Sequence, residues 1–578
     1  MIVFAAAYIV ITIFHEPWFD EAQAWQIAKC ANLSDILFEI PHYEGHPPLW
    51  HLILAIPAKA GVPFEIGLKT IGLIISLASV YLILFKMPYP KWMRCLLPFS
   101  FFVFYQYGII VRPYGLMLLI LLMMALKFPE RNTHPWKFIF LMILLCLTSA
   151  YGMVLAAGIA VCMVWELIRE KGMKGFIRGL FRDSRTQALC VLLAAAVIIV
   201  VQILPRPDTW VTSANATNSF PLCLLCALLT FPAECTLTTS SWFSVDASLL
   251  QHVSISALEL VAMCVIGVLI WALLICVSSK KLLKYLLIPY ILFAFFAADV
   301  YFQVHHVGTV LLFLLFWFGI LFVDNERFEI GRVLITKINA SEKNRQILKK
   351  TAILICVICL AMPVYWLVRS TILELQVEYS FGRTASEYLV NHDLVGKQIM
   401  SDWWLNDSLD SKEGTMNNMF AMGNPTLIDA YFDHNLFYNF NNGKDDESYM
   451  QYRLISEEET QAAFERWKKE GAPDLTLGLP DFEAVFHGEV SQEEYSLIQL
   501  FEINYIWKGK TFSRKLPLYM RNDLLSEYNF MPITDGAFYY RTNGISITDE
   551  IREQFEEGVP MEEILKPYLD AMFGEESG

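Results

Sequence analysis

HEPWFDEAQAWQIAKCANLSDILFEIPHYEGHPPLW, residues 15–50, lies between apolar runs yet carries Asp20, Glu21, Glu44, His15, His42 and His46. Ionisable groups beside a bilayer are costly and are usually kept there for chemistry. Whether the flanking runs cross a membrane, and which face this stretch then meets, decides the rest of the reading.

The chain has 578 residues, 55% of them hydrophobic and 14% aromatic, with a mean hydropathy of +0.43. That mix exceeds the usual soluble composition and points to a polytopic membrane protein. The net charge of −14 is unevenly spread: the part after about residue 370 holds roughly −22 and leaves roughly +8 for the apolar part. Two solvent environments follow, and nothing suggests nucleic-acid binding. The 12 cysteines all precede Met362, mostly inside apolar runs. There they act as small apolar residues; no disulfide framework or zinc spacing is visible.

Outward from residues 15–50, the run 2–14 reads as a retained signal anchor. The stretch HPPLWHLILAIPAKAGVPFEIG is apolar but broken by Pro57 and Pro63, which suits a half-embedded surface helix. Spans are predicted at about 67–85, 95–111, 113–127, 137–150, 152–167, 188–204, 255–278, 282–298, 307–323 and 351–370. With the first run that makes about eleven. Lys86, Lys91 and Arg94, then Lys127, Arg131 and Lys137, the basic loop Arg169–Arg185, Lys280, Lys281 and Lys284, and Arg327–Lys350 all fall on one side if the N-terminus is cytoplasmic. The opposite side collects residues 15–66, the junctions Val111–Pro113 and Ala150–Gly152, about Pro205–Ser254, Asp299–Val307 and the tail. Two domains are therefore expected: a helical membrane domain, 1–370, whose first extracytoplasmic loop is 15–66, and a soluble extracytoplasmic α/β or α+β domain, 371–578. In the tail, Gly382–His392 and Glu457–Glu470 read as helices, and LTLGL, LIQLFEINYIW and AFYYR as strands. The closing EIREQFEEGVPMEEILKPYLDAMF reads as an amphipathic helix pair.

The unusual polar residues gather on the outer side. Asp20 could take a proton from an acceptor hydroxyl; Asp20 and Glu21 also suit the N-cap and first turn of a helix over AQAWQIAK. Glu44 and His46 bracket Gly45 before two prolines, a place to hold a phosphate, a metal or an acceptor. Arg112, in a junction too short for a casual loop, could grip a lipid-linked phosphate or snorkel to headgroups. His305 and His306 stand at another outer boundary, one to contact phosphate and the other to pack. Arg206, Asp208, Trp210 and Glu234 lie in a long outer loop suited to a lid. Tyr114 and Tyr151 belong to an interfacial aromatic belt and could stack on sugar.

On FDEAQAW and EGHPPLW in the first loop, VRPYGLM at the Arg112 junction and SAYG at residues 149–152, the chain resembles the GT-C superfamily of membrane glycosyltransferases, near the protein O-mannosyltransferases and the aminoarabinose transferases of lipid A. The resemblance implies a GT-C-like helical domain and a polyprenyl-phosphate sugar donor. It also implies an extracytoplasmic site in which Asp20 is the catalytic base and Glu21 helps shape it. Lys69 stands where many relatives carry arginine. The expected activity is inverting transfer of a monosaccharide to a protein, lipid or glycan acceptor outside the cell membrane. Arg112, with His305 or His306, would steady the leaving phosphate. Glu21 and Glu44 are second candidates for the base, or could hold a divalent cation. A transporter or flippase of a lipid-linked saccharide, or a surface-glycan polymerase or ligase, are the other readings. Transporters favour mid-span charges and repeated halves, which this sequence lacks.

Overall fold

The computed structural model describes the chain apart from residues 181, 210–219, 239–256, 301, 325–328, 332, 334–341, 407–409, 412–413, 416–417, 422, 445–446, 479, 534–553 and 555–578. AFYYR and all but one residue of the closing helix pair therefore lie outside the described residues, as does Trp210. The chain divides into two compact units. One is Met1–Val377 with Ile506–Thr511, and the other is Glu378–Tyr505 with Phe512–Gly578.

The first unit begins with α1 (Ile2–Phe14), which meets α2 (Phe19–Cys30) at an 87° bend. Pro17 supplies no backbone N–H and disfavours helix at Glu16, so the chain must break here. Glu21 restarts it: its carboxylate accepts the backbone N–H of Trp18 at 2.9 Å. The N-cap is thus Trp18, not Asp20 as the capping reading expects. That frees Asp20, in the first turn, to face another partner. Two short helices follow, α3 (Leu33–Phe38) and α4 (Ile40–Glu44), the latter stopped by Gly45 in the left-handed region at φ 64°. Pro48 then leads into α5 (Leu49–Lys59), an 11-residue helix packed on α2. At about 1.5 Å per residue it is far shorter than a bilayer core, as expected for the HPPL segment. The next helix, α6 (Phe64–Tyr81), approaches α2 at Gly67, where a Cβ would lie 2.3 Å from Trp25 Cη2. A side chain at 67 would push the two helices apart.

Among the described residues seven helices are long and apolar enough to cross a membrane: Phe64–Lys86, Pro113–Asn132, Ala150–Gly179, Ser184–Ile203, Leu258–Val277, Val304–Val323 and Ile353–Glu374. The bent pair α1 and α2 would make an eighth. Val304–Val323 is 83% buried and central, whereas Leu258–Val277 is only 28% buried. Peripheral helices leave Leu193, Val197, Ile198, Leu258 and Leu269 outward. Exposed aliphatic faces of this extent suit lipid, not water. These features suggest a membrane protein.

Other apolar stretches form shorter or divided helices. Residues 95–111 are divided at Pro98 and Ser100: a 3₁₀ turn, Leu97–Phe99, precedes a π-helix, Phe101–Ile109. The 137–150 run is a 12-residue helix, Pro135–Cys146, and the 282–298 run a 17-residue helix, Leu283–Asp299.

The second unit holds a four-stranded sheet in the order Ile399–Ser401, Leu475–Leu477, Lys510–Arg521, Tyr495–Trp507. Its first pair is parallel and the next antiparallel. Helices Gly382–Asn391 and Glu457–Glu470 stand where their apolar periodicity predicts them. Trp467, Phe482, Val485 and Phe486 fill a core beside Met400.

Candidate active site

Local geometry brings the first turn of α2 to the junction before the helix Pro113–Lys127. Arg112 is held extended (φ −128°, ψ 168°) by the proline that follows it, and Pro113 opens the helix. From there the guanidinium reaches Asp20, Nη2 to Oδ2 at 2.8 Å. The arginine side chain is 8% exposed and the aspartate 28%, so the carboxylate keeps partial access to solvent. The guanidinium also lies 5.4 Å from the Trp18 ring and 5.3 Å from the Tyr114 ring, a favourable arrangement for a cation that must stay planar and fixed.

The imidazoles join through these rings. Trp18 meets His305 edge-on at 5.5 Å, and His305 and His306 lie 4.0 Å apart. They sit on a 3₁₀ turn, Val304–His306. His306 Nδ1 accepts the Gln303 N–H at 3.1 Å and lies 2.9 Å from the Tyr151 hydroxyl; with both as donors, its proton sits on Nε2. Tyr107 donates to the His305 carbonyl at 2.8 Å. Tyr114, Tyr151, His305 and His306 are all buried.

Glu44 arrives from the end of α4, its Oε1 accepting from Gln23 Nε2 at 2.8 Å. Burial pushes its carboxyl up to about 7; the Asp20 charge adds to this, while the Gln23 hydrogen bond and Arg112 oppose it. His46, just past the Gly45 turn, is lowered to about 4, first by burial and then by Arg112. It is a neutral ring at neutral pH. Among the described residues, His46 Nδ1 and His305 Nε2 are buried and find no hydrogen-bond partner, polar atoms available to a ligand.

Glu21 has a different setting. Its oxygens accept from Val111 N at 2.6 Å and Trp18 N at 2.9 Å, and one lies 3.3 Å from His15 Nε2. This carboxylate is wholly buried and serves the backbone. Among the described residues no group of three or more His, Cys, Asp or Glu could hold a metal ion. Of the outer-loop residues, Arg206 pairs with Glu39 at 2.7 Å, and Asp208 accepts from Tyr43, the neighbour of Glu44, at 3.2 Å. Glu234 pairs with Lys508 at 2.8 Å, both side chains buried. Asp299 is exposed at its helix end. Lys69 donates to the carbonyls of Thr12 and His15 at 2.7 and 2.8 Å, bracing the break between α1 and α2.

Sequence reasoning passed over Gln23 and Glu374. Gln23 stands three residues after Asp20, a spacing that puts both on one helix face. Glu374 is an acid at the end of the last apolar run, the signal applied to other boundaries. Compared with family models, curated proteins and solved structures, the chain finds no match.

Proposed function

We propose that this chain is a GT-C-like membrane glycosyltransferase, with about eleven membrane segments and its second unit on the extracytoplasmic side. It moves a monosaccharide from a polyprenyl-phosphate donor to an acceptor there. The observation that carries the reading is the Asp20–Arg112 pair at 2.8 Å, a candidate base and a candidate phosphate clamp side by side, with uncharged His46 beside them. The guanidinium has five donors, so it can hold a donor phosphate while keeping Asp20 oriented. Asp20 takes the acceptor proton as the acceptor oxygen attacks the anomeric carbon. The sugar–phosphate bond breaks, and its electrons go to the phosphate oxygen, whose growing charge Arg112 and the neighbouring imidazole N–H groups stabilise. Phosphate needs no acid to leave, and a single base on the opposite face gives inversion. Glu44, paired with Gln23, is the second carboxylate in reach and supports an acceptor-orienting role. Glu21 supports the backbone on which the pair is mounted.

The test is transfer from polyprenyl-phosphate sugars by purified protein in detergent. Asp20→Asn should lower turnover about 10²–10⁴-fold with expression unchanged. Turnover near that of the wild type would remove Asp20 from the mechanism. Consumption of donor without a membrane gradient separates this reading from transport.

A further inference from the structure

The mechanism leaves unused a set of buried ionisable groups directly behind the site. His15 lies in the break between α1 and α2 and is 1% exposed. Its Nδ1 is 2.9 Å from Glu374 Oε1 and its Nε2 is 3.3 Å from Glu21 Oε2, and neither carboxylate side chain has any exposure. Tyr105, from the π-helix, donates to the other oxygen of Glu374. Lys69 of α6 donates to the His15 carbonyl and pairs with Glu65. Glu21 and Glu374 meet the ring itself, Tyr105 faces it through Glu374, and Lys69 with Glu65 lies at its backbone.

A neutral imidazole has one donor and one acceptor nitrogen. With a carboxylate on each nitrogen, a neutral ring would turn a lone pair toward a carboxylate and leave two buried negative charges with no cation between them. An imidazolium satisfies both contacts and halves the uncompensated charge. Burial by itself would lower the pKa of His15, but the Glu374 charge and the hydrogen bonds to Glu21 and Glu374 lift it to about 9.

The position of this triad gives it a consequence. Glu21 adjoins Asp20, and its second oxygen holds the backbone N–H of Val111, which adjoins Arg112. Whatever fixes the Glu21 carboxylate fixes the two backbone points from which Asp20 and Arg112 extend. We infer that His15, doubly protonated, is a positioning residue that bridges Glu21 to Glu374 and so sets the geometry of the Asp20–Arg112 pair. This rests on the reading that the pair is the reacting centre. Because the folded pKa lies above the ordinary 6.5, the stabilisation is complete below pH 6.5 and is lost as pH rises through about 9.

The experiment uses the full chain in detergent, with thermal unfolding and sugar transfer measured on the same preparations from pH 6 to 10.5. The variants are His15→Gln, His15→Gln/Glu374→Gln and Glu374→Gln. The wild-type unfolding temperature should fall through pH 9. H15Q should unfold lower at neutral pH and lack that inflection. Its kcat should drop at least tenfold with donor KM within twofold, and its transfer profile should lose the alkaline limb. Removing the Glu374 charge as well should restore part of the stability, because cation and anion are then deleted together. Should H15Q prove too unstable to purify, E374Q alone decides, since losing one carboxylate should move the inflection down by more than one pH unit. A wild-type unfolding temperature that tracks those of H15Q and E374Q across the whole range overturns the triad, and wild-type kcat and pH profile in H15Q overturn its positioning role. If the protein transfers no sugar at all, the unfolding titration still decides the triad, and the failure falls on the proposed reaction.

Discussion

Deleting the guanidinium of Arg112 separates the two jobs assigned to it. Arg112→Ala leaves Asp20 without its 2.8 Å partner. Breaking a fully buried pair costs about 3–5 kcal/mol; Asp20 keeps 28% of its side-chain exposure, so water screens it and about 2 kcal/mol is the better figure. Losing the approaches to Trp18 and Tyr114 adds about 1 kcal/mol. Stability should therefore fall by about 3 kcal/mol. Turnover should fall about 10²–10³-fold from lost stabilisation of the leaving phosphate. The discriminating measurement is a double-mutant cycle in unfolding stability and transfer rate with Asp20→Asn. In the double variant no carboxylate is stranded, so it should be at least as stable as R112A, a coupling of about 2 kcal/mol. Additive losses to within about 0.5 kcal/mol would mean that the two side chains do not act as a pair, and the argument from their proximity would fail with them.

Two further outcomes are expected. Glu44, raised to about 7, is protonated in the folded state where the unfolded chain is already ionised, so it lowers stability as pH rises from about 4.5 to 7. Glu44→Gln should flatten that part of the stability profile, and an unchanged slope would reject the raised value. Lys508→Met strands the buried Glu234 carboxylate and should cost about 3 kcal/mol or more, with Glu234→Gln in the same chain recovering most of it. Equal unfolding midpoints for the single variant and the wild type would show that Glu234 finds another partner.

Much of this was legible locally. Two prolines and a glycine in EGHPPLW announce a turn and a short helix start, and α4, Gly45 and α5 follow them. The helices at Gly382–Asn391 and Glu457–Glu470 follow from apolar spacing and, for the second, from the Ser456–Glu459 capping box. The 95–111 run is continuous in hydropathy, which averages over Pro98 and Ser100, whereas its backbone is divided there. Asp20 resembles a cap in sequence for a similar reason, although Trp18 holds that position. Acids at the N-cap and in the first turn look alike in sequence, and only the hydrogen bond from Trp18 N–H to Glu21, the third helical residue, tells them apart.

Composition and periodicity determined by themselves that the chain is a set of apolar helices followed by a less apolar stretch of mixed helix and strand, because burial against lipid or core depends on each residue and its near neighbours. Which acids and bases meet was decided only by tertiary structure. His15 and Glu374 are 359 residues apart, and Glu21 and Val111 are 90 apart. No local pattern encodes such pairings, because side chains contact across a helix bundle only after the helices have packed. The charge of one group then sets the chemistry of the next.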